Sequence, residues 1–99
     1  MKVYCFDLDG TLCTKEDDYH NAKPLKERIR KINQLYDEGN TILIDTARGS
    51  MTGIDHTQYI EFQLKRWGVK YHKVRAGVKL FANVYVDDSG VNDRDFFND

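Results

Sequence analysis

The apolar run Val3-Tyr4-Cys5-Phe6 leads directly into Asp7-Leu8-Asp9-Gly10-Thr11, and this juxtaposition restricts the chain more than any other stretch. A short apolar run bounded by a turn signal reads as a buried strand. It delivers two carboxylates, two residues apart, to its carboxyl end, and residues i and i+2 of an extended chain point to one face. Two acids on one face repel unless positive charge lies beside them. A divalent cation with oxygen ligands resolves that repulsion, and Mg²⁺ is the common choice where phosphate is handled. Gly10 and Thr11 then turn the chain away. A lone D-x-D reads more often as solvated loop acids with a turn glycine; directly behind an apolar strand, D-x-D-G-T is far more specific.

The rest of the chain alternates strand and helix. Residues 2–7 form the first strand and residues 8–23 a polar loop with Glu16-Asp17-Asp18 at its tip. Pro24 suits the first turn of a helix, where its missing N–H costs nothing. Leu25, Ile29, Ile32 and Leu35/Tyr36 make its apolar stripe, and Gly39 supplies a left-handed cap. Residues 41–46 form the second strand, followed by a loop over Arg48–Gly53. Asp55 caps a second helix, with Gln58 reaching back. Ile60, Leu64 and Trp67 share a face of that helix, and Gly68 ends it. Residues 71–75 make a third strand whose charges put it at the sheet edge. Residues 83–87 make a fourth, and a short helix from Asn92 docks Phe96 and Phe97. Such alternation implies an α/β chain with parallel pairing through right-handed crossovers.

Several of these segments resemble a known family. Phe6-Asp7-Leu8-Asp9-Gly10-Thr11-Leu12 is similar to the first signature of the haloacid dehalogenase-like (HAD) phosphohydrolases. Thr41-Ile42-Leu43-Ile44-Asp45, ending in Thr46, resembles the second. Lys79 precedes a further apolar strand, where the family's lysine is expected, and Asn83-Val84-Tyr85-Val86-Asp87-Asp88 resembles the fourth. Asn21-Ala22-Lys23-Pro24 and Thr46-Ala47-Arg48-Gly49-Ser50 resemble a small capless branch associated with bacterial sugar and surface-polysaccharide metabolism. The resemblance covers nearly the whole chain. It implies one domain over residues 1–99, built on a small doubly wound parallel sheet of the HAD-like Rossmannoid kind. The strand order would be 4-1-2-3, with no cap domain, since the linkers after Asp9 and Thr46 are too short to hold one. That order reverses beside the first strand, and ligands bind at such switch points, outside the carboxyl ends of the strands.

The resemblance also implies roles. Asp7 is the nucleophile that forms an aspartyl-phosphate, and Asp9 is the general acid and then the base. Mg²⁺ takes a carboxylate oxygen from Asp7, the backbone carbonyl of Asp9, and a carboxylate from the Asp87-Asp88 pair. Asp87 is favoured as direct ligand and Asp88 as a water-mediated partner, an order open to reversal. Thr46 offers its hydroxyl and N–H to the phosphoryl oxygens, and Lys79 offsets negative charge. Gly77-Val78-Lys79-Leu80 departs from the Gly-Lys-Pro of relatives, which leaves Lys73 as the alternative. Gly10, Thr11 and Ala47 fall to substrate binding with Arg48, whose fork suits a phosphate or carboxylate and equally suits an acid of its own loop. His20 is a softer candidate and reads more readily as an exposed loop residue. Asp45 reads as satisfying loop amides, and Asp93 as an outer-shell acid of low weight.

Composition narrows the partners. A chain of 99 residues is one domain's length and buries only roughly two-thirds of its unfolded surface, so a homo-oligomer would add stability. A formal net charge of −1 gives no push toward nucleic acid or anionic membrane. Lys23, Lys26, Arg28, Arg30 and Lys31, interleaved with Glu27, read as a solvated helix face, without the aromatic interleaving of a single-strand platform. Cys5 and Cys13 make no disulfide framework; Cys5 reads as core, and Cys13, which follows the acidic loop and could lie near the site, reads as structural because no base stands beside it in sequence. No run approaches the ~18 apolar residues of a bilayer span, the first apolar stretch is too short for a signal peptide, and the expected compartment is the cytoplasm. The expected function is a Mg²⁺-dependent phosphomonoesterase acting on a small phosphorylated sugar or polyol. The alternatives are a phosphotransferase and a non-catalytic module of the same fold, with a polynucleotide-end phosphatase disfavoured by the charge balance.

Overall fold

Four strands, three α-helices and a 3-10 turn run in the order β1 (Val3–Asp7), the turn (Tyr19–Asn21), α1 (Lys26–Asp37), β2 (Thr41–Thr46), α2 (Thr57–Arg66), β3 (Lys73–Ala76), β4 (Val84–Val86) and α3 (Asp93–Phe97). They belong to a computed structural model that describes residues 1–46, 56–76, 84–86 and 93–97. The sheet order is β3-β2-β1-β4, and every pairing is parallel. From β1 the chain builds through β2 to β3, then returns to the other side of β1 with β4. Sheet growth therefore reverses between β2 and β4, at the carboxyl end of β1, where open α/β sheets bind ligands.

Helical periodicity sets what each helix buries. α1 buries Ile29 and Ile32, and α2 buries Ile60 and Leu64. They join Phe6, Ile42, Ile44 and Val86 of the strands in one core. Burial alternates along β2, with Ile42, Ile44 and Thr46 buried and the residues between them half-buried. α3 adds Phe96 and Phe97, whose rings meet Phe6 at 5.6 and 6.0 Å. Gly39 follows α1 at φ 93°, the left-handed cap that only glycine takes without strain. Among the described residues no helix is long and apolar enough to cross a membrane.

The described bounds of three elements depart from the sequence reading or stop short of it. α2 opens at Thr57 with His56 at the N-cap position and no side-chain cap bond; Asp55, expected there, lies outside the described residues. Packing of Ile60 and Leu64, with Lys65 and Arg66 in the last turn, favours this helix. β3 begins at Lys73 rather than residue 71. The His72 N–H donates to the Ile42 carbonyl at 2.8 Å, but the Ile42 N–H donates to the His72 ring Nδ1 at 3.0 Å. A side chain thus replaces the main chain at that rung, and the regular ladder starts one residue later. β4 is Val84–Val86; Asn83 and Asp87, expected at its ends, lie outside the described residues.

Candidate functional site

β1 ends at Asp7, and the chain turns at once around one carbonyl. The Leu8 oxygen accepts from the N–H groups of Thr11, Leu12 and Cys13 at 3.2, 2.9 and 3.3 Å, while the Gly10 N–H donates to the Cys13 carbonyl at 2.8 Å. Leu8 and Leu12 are fully buried. Apolar anchors therefore bracket Asp9-Gly10-Thr11 and hold this segment at the mouth of the sheet. Gly10 has φ 84°, and a Cβ there would meet nothing closer than the Lys15 Cβ at 4.0 Å. The turn needs glycine for its left-handed backbone rather than for space. Thr11 is buried, at 3% exposure.

Asp7 and Asp9 are both half-buried. The Cys13 Sγ lies 3.6 Å from the Asp9 Oδ1 and 3.6 Å from the Leu8 carbonyl. Cys13, read from sequence as structural though close to the acidic loop, has its thiol against the second carboxylate. Bridge pairings Asp9↔Cys13 and Cys13↔Pro24 show how the chain doubles back to do so. A cysteine four residues beyond D-x-D, directly behind Gly-Thr-Leu, was the signal available.

Arg28 corrects a second expectation. It belongs to the run read as a solvated face, yet its Nη1 donates to the Thr11 carbonyl at 3.1 Å. The same guanidinium lies 5.0 Å over the Phe97 ring. Lys31 is likewise engaged: its Nζ donates to the Phe96 carbonyl at 2.8 Å. One turn of α1 therefore grips both the acidic loop and α3.

The sheet register adds a row that sequence spacing did not disclose. Asp7 pairs with Asp45, and Asp45 pairs with Arg75; laterally paired strand residues share a face. Asp45 thus stands in the row of Asp7, with a cation on the edge strand beyond it. Lys73, the alternative to Lys79, lies in the row of Leu43 and Cys5, short of the carboxyl ends. Thr46 closes β2 and is buried at 2% exposure. Lys79, Ala47, Arg48, Asp87 and Asp88 lie outside the described residues.

His20 sits on the 3-10 turn, largely exposed. Its Nδ1 meets the Asp18 Oδ1 at 2.8 Å, and its ring lies 4.6 Å from that of Tyr59. Asp18 also accepts the His20 backbone N–H at 3.0 Å. That bond first, and the ring contact second, hold the Asp18 carboxyl below its ordinary range. Burial pushes the Tyr71 hydroxyl up, with a smaller push from the Glu61 charge.

Asp7 and Asp9 offer hard oxygen donors of the kind a Mg²⁺ ion takes. Among the described residues, no three His, Cys, Asp or Glu side chains gather as a metal-holding group, and Asp87 and Asp88 fall outside that set. No buried side-chain nitrogen or oxygen among the described residues lacks a hydrogen-bond partner.

No family model matches the chain. No curated protein matches it. Among solved structures, it is similar to the crystal structure of a protein target from Vibrio cholerae. The TM-score is 0.78 at 29% identity, over 98% of this chain and 88% of that one. The shared architecture is a small α/β fold with a parallel sheet.

Proposed function

We propose that the chain is a capless HAD-type phosphatase, a Mg²⁺-dependent phosphomonoester hydrolase working through an aspartyl-phosphate on Asp7. The observation that carries this reading is the turn at the end of β1. It fixes Asp7 and Asp9 where sheet growth reverses, bracketed by buried Leu8 and Leu12.

In the first step an Asp7 carboxylate oxygen attacks phosphorus in line, and the bond from phosphorus to the ester oxygen breaks. Asp9, protonated, gives its proton to the departing alkoxide. In the second step Asp9 takes a proton from water, whose oxygen attacks phosphorus, releasing inorganic phosphate and restoring Asp7. A Mg²⁺ ion, when bound by Asp7, the Asp9 carbonyl and Asp87 or Asp88, supplies positive charge to the phosphoryl oxygens. Thr46 and Lys79 serve those same oxygens. Gly10, Thr11, Ala47 and Arg48 shape the approach of the substrate. The Cys13 thiol orients Asp9, and Arg28 braces the loop through the Thr11 carbonyl. The likeness of residues 21–24 and 46–50 to the capless branch favours a phosphorylated sugar or polyol as substrate.

Phosphate release from a panel of sugar, polyol and nucleotide monophosphates tests the reading, with Mg²⁺, with chelator, and in variants. Chelation should stop turnover. Asp7→Asn should lower kcat by more than about a thousandfold, and Asp9→Asn by roughly a hundredfold or more. Folded protein that releases no phosphate from any compound would turn the reading toward a binding module.

A further inference from the structure

A second concavity lies between the 3-10 turn, the start of α1 and the outer side of α2. Neither Asp7, Asp9 nor Thr46 lines it. Its volume is about 410 Å³, within the ~300–1,000 Å³ of small-molecule sites. Among the described residues its walls carry three cations, Lys23, Lys26 and Arg66, and no acidic residue. Among the described residues no carboxylate pairs with any of the three. Neighbouring cations do have such partners: Arg30 meets Glu27 at 2.9 Å and Lys70 meets Asp37 at 2.8 Å. Like charges around one concavity repel, and an anion placed among them relieves that repulsion.

The other walls are rings. His20, Tyr59, Phe62 and Trp67 line the same cleft. Tyr59 stands 4.6 Å from His20 and 6.0 Å from Phe62. Phe62 is 56% exposed; among the described residues only Met1 is another large apolar side chain left so open. Among the described residues, this exposed ring stands beside cations that no carboxylate neutralises.

The walls are fixed to one another. Gln63, 4% exposed, donates from Nε2 to the Tyr19 carbonyl at 2.9 Å, tying α2 to the 3-10 turn. The Lys23 N–H donates to the Thr14 Oγ1 at 2.9 Å, and the Thr14 N–H donates to the Lys23 carbonyl at 2.9 Å. The cleft is therefore a preformed shape between two anchored elements.

We propose that this cleft is a binding site for a small ring-bearing organic phosphate, of the nucleoside monophosphate class. The phosphate meets Lys23, Lys26 and Arg66, whose guanidinium fork matches phosphate oxygens. The base lies against the rings of Tyr59, Phe62 and Trp67, which stack on any flat π face. Binding here does not depend on phosphatase chemistry at Asp7.

Trp67 is the chain's sole tryptophan, so its fluorescence reports on the cleft directly. AMP is titrated into the full chain with chelator present, in parallel with adenosine, with inorganic phosphate, and with the Asp7→Asn variant. The expected result is a saturable change with AMP that is unaltered by Asp7→Asn. Adenosine and inorganic phosphate should each bind about tenfold more weakly or worse. The double variant Lys26→Gln/Arg66→Gln, confirmed as folded by circular dichroism, should weaken AMP by about tenfold or more, as expected for lost charge-assisted bonds. Phe62→Ala should weaken AMP and leave inorganic phosphate unchanged. The proposal is overturned by the absence of a saturable change, by equal affinity in the double variant, or by loss of binding in Asp7→Asn.

Discussion

Cys13 shows how much one buried atom can matter to a neighbouring carboxylate. Its thiol points at Asp9 and at the Leu8 carbonyl around which the whole turn is built. Cys13→Ala leaves a small void and removes a donor, at a cost of about 1–2 kcal/mol read from thermal melts. In an active phosphatase Cys13→Ala should also lower kcat, because the donor that orients Asp9 is gone, and Cys13→Ser should restore part of it. An unchanged kcat with lowered stability would limit Cys13 to packing. Asp18 gives a second residue-scale expectation. Its carboxyl is held low by the His20 N–H, so its contribution is complete above the ordinary carboxylate range. That contribution is lost as pH falls through the lower, folded value. Asp18→Asn keeps an acceptor for the His20 N–H, so the His20 amide resonance should lose its titration in acid. The pair is exposed, and global stability should barely move.

Among the elements, α1 does more than cover the sheet. Ile29 and Ile32 face the core, while Arg28 and Lys31 both meet α3, and Arg28 also donates to the Thr11 carbonyl. Arg28→Ala removes a charged hydrogen bond and a cation–π contact, together about 1–2 kcal/mol given its half-exposure. In a domain of this size that lowers Tm by roughly 5–10 °C. Arg28→Lys keeps the charge without the planar fork and should recover only part of the loss. In an active phosphatase Arg28→Ala should lower kcat more than it changes KM, because it loosens the loop carrying Asp9 rather than a substrate contact. The element pattern itself was legible: period and punctuation gave parallel β and α segments in the observed order. The start of β3 was not, because a histidine ring takes a rung of the ladder.

At the scale of the molecule, the last residues stabilise the first. Phe96 meets Tyr4 at 6.0 Å and Phe6 at 5.6 Å, joining α3 to the first strand across the full length of the chain. Phe96→Ala should cost roughly 2–3 kcal/mol, a large share of the ~5–15 kcal/mol available to a small domain. Denaturant unfolding would measure it as a lower midpoint with an unchanged slope. A fall in slope as well would mean that α3 detaches before the sheet unfolds.

The sequence by itself determined the parallel α/β class, the stripes Ile29-Ile32 and Ile60-Leu64, and the delivery of Asp7 and Asp9 to a strand end. Those signals are local, since period and turn chemistry act within a few residues. Only the tertiary structure decided that Cys13 faces Asp9, that Arg28 reaches Thr11 and Phe97, that Asp45 stands in the row of Asp7, and that three cations and four rings share one cleft. Each of those depends on the path of a turn or the docking of one element on another. Burial energy selects such arrangements over the whole chain, and no window of sequence contains them.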